Sequence, residues 1–189
     1  LRPLLEVGAR HIPDQLRDAL RIDAPRAQFI SENMRRSLYE LLVQQRAMVA
    51  AGDLRPRRLE MSFGLRDDDA GALVITSPAG NVVELRGQID RIDYHDAGDH
   101  LVASVIDYKL SPRRTDPRAI RLGTGIQLLV YLLVIRDKGQ AMLGKPTRPA
   151  GAMYVGVRMP LPKVEHPDDG HAPDDIERYK DRKPSGLYD

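Results

Sequence analysis

Three side chains in two short runs have the types and spacing for phosphoryl chemistry. Asp90 lies in Gly87-Gln88-Ile89-Asp90-Arg91-Ile92-Asp93, and Asp107 and Lys109 lie in Ile106-Asp107-Tyr108-Lys109. Each run sits in an alternating or apolar stretch that reads as a β-strand. A strand turns residues i and i+2 to one face, so Asp107 and Lys109 project together, and Asp90 joins them if the strands are neighbours. Two carboxylates and an ammonium on one sheet face suit a divalent metal and a phosphodiester. Mg2+ takes oxygen ligands in near-octahedral geometry, a need met by Asp90, Asp107, the Tyr108 backbone carbonyl and waters. Lys109 is no usual Mg2+ ligand. It can orient or help deprotonate an attacking water and stabilise charge on the phosphorus oxygens. The plainer reading of Asp-x-Lys, a solvated strand face, stands beside this one.

Gln127 and Tyr131 are four apart in an otherwise apolar helical stretch, so they share a face. A polar pair there needs partners. Gln127 suits a catalytic group or a phosphate, and Tyr131 a base or sugar. The alternative is a satisfied structural pair at a helix–sheet contact. Arg113, Arg114 and Arg118 follow the second run in a loop bracketed by Pro112 and Pro117. They suit DNA phosphates or a merely solvated loop.

The elements that must position these residues follow from periodicity. Leu16, Ala19 and Leu20 predict a helix after Pro13-Asp14, ended by Asp23-Ala24-Pro25. Residues 26–51 predict a long helix, with Phe29, Ile30, Met34, Leu38, Leu41 and Leu42 near helical spacing and Gly52 as its stop. Strands are expected at 59–63, 72–76, 82–94 and 101–109, forming an antiparallel meander. A helix is expected over 119–137, weakened at Gly123 and Gly125, then a last strand over 150–158. The order predicts an α/β or α+β domain, a mixed central sheet flanked by helices. Its expected parts are an incomplete N-terminal helical segment over 1–55, a core over 56–159 and a polar tail over 160–189, read as loop or linker.

Composition sets limits. The 189 residues suffice for one domain with a real core. Net charge is +2, so a phosphate-binding surface must be a local patch. With no cysteine, disulfides, thiolate zinc sites and an iron–sulfur cluster within this segment are excluded. No apolar run reaches the ~18 residues of a membrane span, and a cytoplasmic location is expected. Leu1 is not an initiator methionine, so the chain is expected to be a piece of something longer. Gly123-Thr124-Gly125 lacks the lysine of a phosphate loop, and His166 and His171 sit in the polar tail.

The ordered motifs Gly87 to Asp93, Val105 to Lys109 and Gly123 through Gln127 to Tyr131 are similar to those of RecB-type nuclease domains of the PD-(D/E)XK superfamily. The pattern is nearest the AddB/RexB-like subunits of ATP-dependent helicase–nucleases. Leu59 to Gly64 and Arg182 to Leu187 resemble flanking segments there, so the likeness covers roughly residues 55–189.

The resemblance implies a restriction-endonuclease-like core and Mg2+- or Mn2+-dependent (exo)deoxyribonuclease activity. It implies action on DNA, at single-stranded ends, beside a helicase partner in end processing and recombinational repair. It makes Asp90 and Asp107 metal-binding carboxylates with the Tyr108 carbonyl, and Lys109 the catalytic lysine. Gln127 and Tyr131 become the motif that supports the site and contacts DNA. Arg91 and Asp93 are expected as a structural ion pair, and Glu60 in a supporting role. Two departures stand out. The family places a His or Glu on an N-terminal helix as a further ligand, and His11 before Ile12-Pro13 is a poor counterpart. Leu110 replaces a small or hydroxyl residue. The missing ligand motivates a second reading, an inactive nuclease-fold module that binds DNA or docks a partner.

Overall fold

The computed structural model describes residues 12–65, 70–111, 113–157 and 184–188. His11, His166, His171, part of the expected acidic turn and most of the expected tail lie outside them. The chain opens with two helices, α1 (Ile12–Leu20) and α2 (Ala24–Ala50). Asp23-Ala24-Pro25 ends the first and also starts the second. The Asp23 carboxylate accepts from the Arg26 N–H at 2.8 Å, and Pro25 in the first turn lacks only an N–H that would have no partner. Gly52 is not a left-handed cap: right-handed Ala51 ends α2, its N–H bonded to the Ala47 and Met48 carbonyls.

The remaining elements are β1 (Arg55–Phe63), β2 (Leu73–Thr76), β3 (Val82–Leu85), β4 (Gly87–Asp96), β5 (Leu101–Lys109), α3 (Pro117–Arg121), α4 (Gln127–Leu143), β6 (Thr147–Gly156) and β7 (Ser185–Tyr188). Five strands form one sheet in the order β1-β4-β5-β6-β7. Pairing is antiparallel except between β5 and β6, so the sheet is mixed, as expected. The parallel pair is joined through α3 and α4, the crossover such a pair requires.

Helices cover both faces. Val105, Ala103 and Ile92 pack with Leu128, Val134 and Ile135 of α4. Ile106 and Val155 turn the other way, onto Leu41 of α2. A strand buried on both sides needs apolar residues at successive positions, which is why Val105 and Ile106 adjoin at the middle of β5. Among the described residues no helix is long and apolar enough to cross a membrane.

Four expectations need correction. The strand expected over 82–94 is two strands in different sheets. The break falls at Arg86, whose guanidinium bonds the Gly64 carbonyl at 3.0 Å and Glu84 at 2.9 Å. The simple meander fails with it, because β2 and β3 form a separate two-stranded sheet. The helix expected over 119–137 is α3 and α4, parted where Thr124 and Gly125 bond back to the Ala119 carbonyl. Gly144, left-handed at φ 81°, ends α4 well beyond Asp137. Finally, β6 starts at Thr147 and is not last: β7, in the stretch read as tail, pairs along Gly151–Tyr154. At Gly186 an added Cβ would overlap the Ala152 carbonyl oxygen, so this approach requires a glycine.

Candidate active site

The site forms where β4 and β5 part. Their ladder runs from Asp96 opposite Leu101 to Arg91 opposite Ile106. One step further, the Tyr108 N–H donates to Asp90 Oδ2 at 2.8 Å rather than to a strand carbonyl. A residue's N–H and C=O point to the same strand edge, so the Tyr108 carbonyl faces the gap that Asp90 enters.

Asp107 is 2% exposed. Lys109 Nζ stands 2.6 Å from its Oδ2 as an ion pair, yet no donor is aligned to hydrogen-bond that oxygen. Oδ1 is held by Gln127 Nε2 at 2.8 Å. The other Gln127 amide hydrogen reaches the Tyr131 hydroxyl at 2.9 Å, and that hydroxyl donates to the Gln88 carbonyl at 2.9 Å. Tyr131 is buried, with its hydroxyl 3.5 Å from Asp107. The five residues singled out by spacing therefore meet at one place. Gln127 and Tyr131 spend their polar atoms on the sheet and on Asp107.

Burial holds the Asp107 carboxyl above the usual range; Lys109 opposes this, and the Asp90 charge adds to it. Burial likewise pushes the Tyr131 hydroxyl up to about 12, so it remains a donor at neutral pH. The donors fit a hard divalent cation: a buried carboxylate oxygen without a hydrogen bond, a second carboxylate and a carbonyl in the gap between strands. Among the described residues no three His, Cys, Asp or Glu side chains gather to hold a metal. The ligand expected on an N-terminal helix thus has no counterpart there.

Behind the site, Arg91 and Asp93 form a buried bidentate pair with contacts of 2.6 and 2.5 Å. Arg91 Nη1 also donates to Gln45 Oε1 at 2.7 Å and to the Tyr108 hydroxyl at 2.9 Å. The ion pair is legible in Asp-Arg-Ile-Asp; its partners from α2 and β5 are not, because they depend on tertiary packing. Glu60 is exposed, with a left-handed backbone at φ 50°, between the rungs Leu59–Arg91 and Met61–Ile89. Arg113 is exposed and lies 5.2 Å from the Tyr154 ring centroid. Arg114 and Arg118 are exposed. Tyr154 is a residue that sequence reasoning missed; in Ala152-Met153-Tyr154-Val155 it reads as one more core position.

A mixed sheet carrying an Asp, an Asp-x-Lys and a supporting Gln-x-x-x-Tyr defines a nuclease class. The chain belongs to the PD-(D/E)XK nuclease superfamily, whose model matches residues 5–184. It is 33% identical over 160 residues to an ATP-dependent helicase/deoxyribonuclease subunit from Desulforudis audaxviator, covering 85% of this chain and 14% of that relative. Proteins of the same name from Symbiobacterium thermophilum and Geobacillus kaustophilus are each 31% identical, covering 81% and 69% of this chain and 13% and 11% of theirs. The chain thus spans about one-seventh or less of the length of these relatives.

Proposed function

We propose that this chain is a metal-dependent nuclease domain that hydrolyses DNA phosphodiesters, acting within a helicase–nuclease in DNA end processing and recombinational repair. The observation that carries the reading is the convergence of Asp90, Asp107 and Lys109 where β4 and β5 separate, with Asp107 fixed from behind by Gln127. The names of the relatives support a helicase partner and DNA as substrate. The further expectations from motif resemblance, Mg2+ or Mn2+ and single-stranded ends, belong to this same reading.

Each residue has a role that its surroundings support. Asp90, Asp107 and the Tyr108 carbonyl hold a divalent cation, which supplies Lewis acidity toward water and phosphate. Lys109, tethered to Asp107 and partly exposed, orients the attacking water and stabilises charge growing on the phosphorus oxygens. Water attacks phosphorus and the bond to the leaving oxygen breaks. Gln127 and Tyr131 keep Asp107 from rotating, so its buried oxygen stays toward the gap.

Calorimetric titration with Mn2+ tests the metal site apart from cleavage. The wild-type chain is expected to bind, and Asp90→Ala and Asp107→Ala to lose binding. The second reading, an inactive module for DNA or partner docking, is favoured by the lack of a third acidic or histidine ligand among the described residues. Metal binding indifferent to both aspartates would favour it over the nuclease.

A further inference from the structure

The parallel register sets Tyr154 of β6 opposite Asp107 of β5, and residues so paired project to one face. The Tyr154 ring is buried beside the Asp107 carboxylate, and two cations approach it. Lys109 Nζ lies 5.5 Å and the Arg113 guanidinium carbon 5.2 Å from its centroid. Both distances fall within the range where a ring's negative face attracts a cation. Neither residue would otherwise be held near the other, since one ends a strand and the other lies in the loop beyond it.

Charge pairing separates these cations from the rest. Arg35, Arg86, Arg91, Arg136 and Lys145 each have a carboxylate within 3 Å. Lys109 has Asp107, whereas Arg113 has no carboxylate partner among the described residues. Two cations on one ring, with one acid between them, leave a positive charge unanswered at the edge of the site. A phosphate answers it, and a guanidinium with free N–H groups is suited to bind one.

We propose that Tyr154 is a positioning residue whose ring holds Lys109 and Arg113 together as a two-cation cradle for one DNA phosphate. The proposal rests on the nuclease reading for the identity of the anion. The ring contact itself does not, and the two are measured separately.

The first measurement follows the Lys109 ε-methylene protons by NMR in the full 189-residue chain labelled on lysine, with Lys109→Arg to assign the signal. The ring current is expected to displace the signal upfield in the wild type and in Tyr154→Phe, and not in Tyr154→Leu. A wild-type signal at the position of the other lysines overturns the platform.

The second measures affinity for a fluorescent single-stranded oligonucleotide, with Ca2+ in place of Mg2+ to prevent cleavage. Arg113→Ala and Tyr154→Leu are each expected to weaken binding about two- to five-fold, the worth of one exposed cation–ring contact. The double variant is expected to be no weaker than Arg113→Ala, and Tyr154→Phe to bind as the wild type does. Additive losses overturn the coupling through Tyr154 while leaving the nuclease reading intact. A wild-type chain that keeps the ring-current shift but binds no oligonucleotide overturns the cradle together with that reading.

Discussion

Asp107 is held where its charge is hardest to keep. Its folded pKa is raised by burial, so the native state binds its proton more tightly than the unfolded chain does. Stability therefore falls as pH rises through the window from about 3.9, the unfolded value, to the raised folded value. Above that the cost is complete. Asp107→Asn keeps an oxygen for Gln127 and removes the buried charge. It is expected to raise the metal-free melting temperature by roughly 2–4 °C, the response to about 1 kcal/mol in a chain of this size. The same variant should lose the stabilisation, about 2.7 kcal/mol at a hundred-fold excess over Kd, that Mn2+ gives the wild type. Thermal melts with and without Mn2+ check both; a lower metal-free melting temperature, or an unchanged response to Mn2+, would refute this role for Asp107.

The Arg91–Asp93 pair behaves differently because each partner answers the other in the interior. Arg91→Met alone strands a buried carboxylate and should cost about 3–5 kcal/mol, whereas adding Asp93→Leu should recover most of that. Urea unfolding of the single and double variants decides it, and equal loss in both would show that the pair is not the unit. At this scale the spacing of Asp90, Asp107, Lys109, Gln127 and Tyr131 was enough to bring them together on paper. Gln45 and Tyr154 were not legible, because each matters through a neighbour distant in sequence.

Among the elements, β7 is the least expected and has a definite task. Ser185 Oγ accepts from the Thr115 N–H at 3.0 Å and contacts the Thr115 hydroxyl at 3.2 Å. The strand thereby pins the loop that carries Arg113 and Arg114. Gly186→Ala forces a Cβ into the Ala152 carbonyl and should lift β7 off β6. Limited proteolysis is expected to cut the 113–116 loop faster in that variant; an unchanged cleavage pattern would mean β7 does not hold it. Sequence periodicity served the elements that are buried on a face. Leu101–Lys109 came out with its observed ends because its apolar residues record its burial. Ser185–Tyr188 did not, since a four-residue edge strand containing glycine carries no alternation to read. The α3–α4 break was half-visible in Gly123 and Gly125, but nothing local says that the chain doubles back onto Ala119 there.

For the molecule as a whole, a near-neutral charge of +2 means that DNA must be attracted by the site's own patch rather than by the overall field. With Lys109, Arg113 and Arg114 as the phosphate contacts, log affinity for a single strand should fall with log salt at a slope of about −2. A much steeper slope would place most of the contacts elsewhere. The mixed sheet with a helix on each face was legible because strand and helix periods alternate along the chain. The order of the strands was less so, since the β2–β3 hairpin intervenes between two strands that pair. The most direct measurement is cleavage of single-stranded DNA with Mg2+ or Mn2+ by the wild-type chain, Asp107→Ala and Lys109→Ala. The wild type is expected to cut and both variants to fall by at least about a hundred-fold, the scale of losing a central catalytic group. Equal cleavage by all three would contradict the assignment of this site.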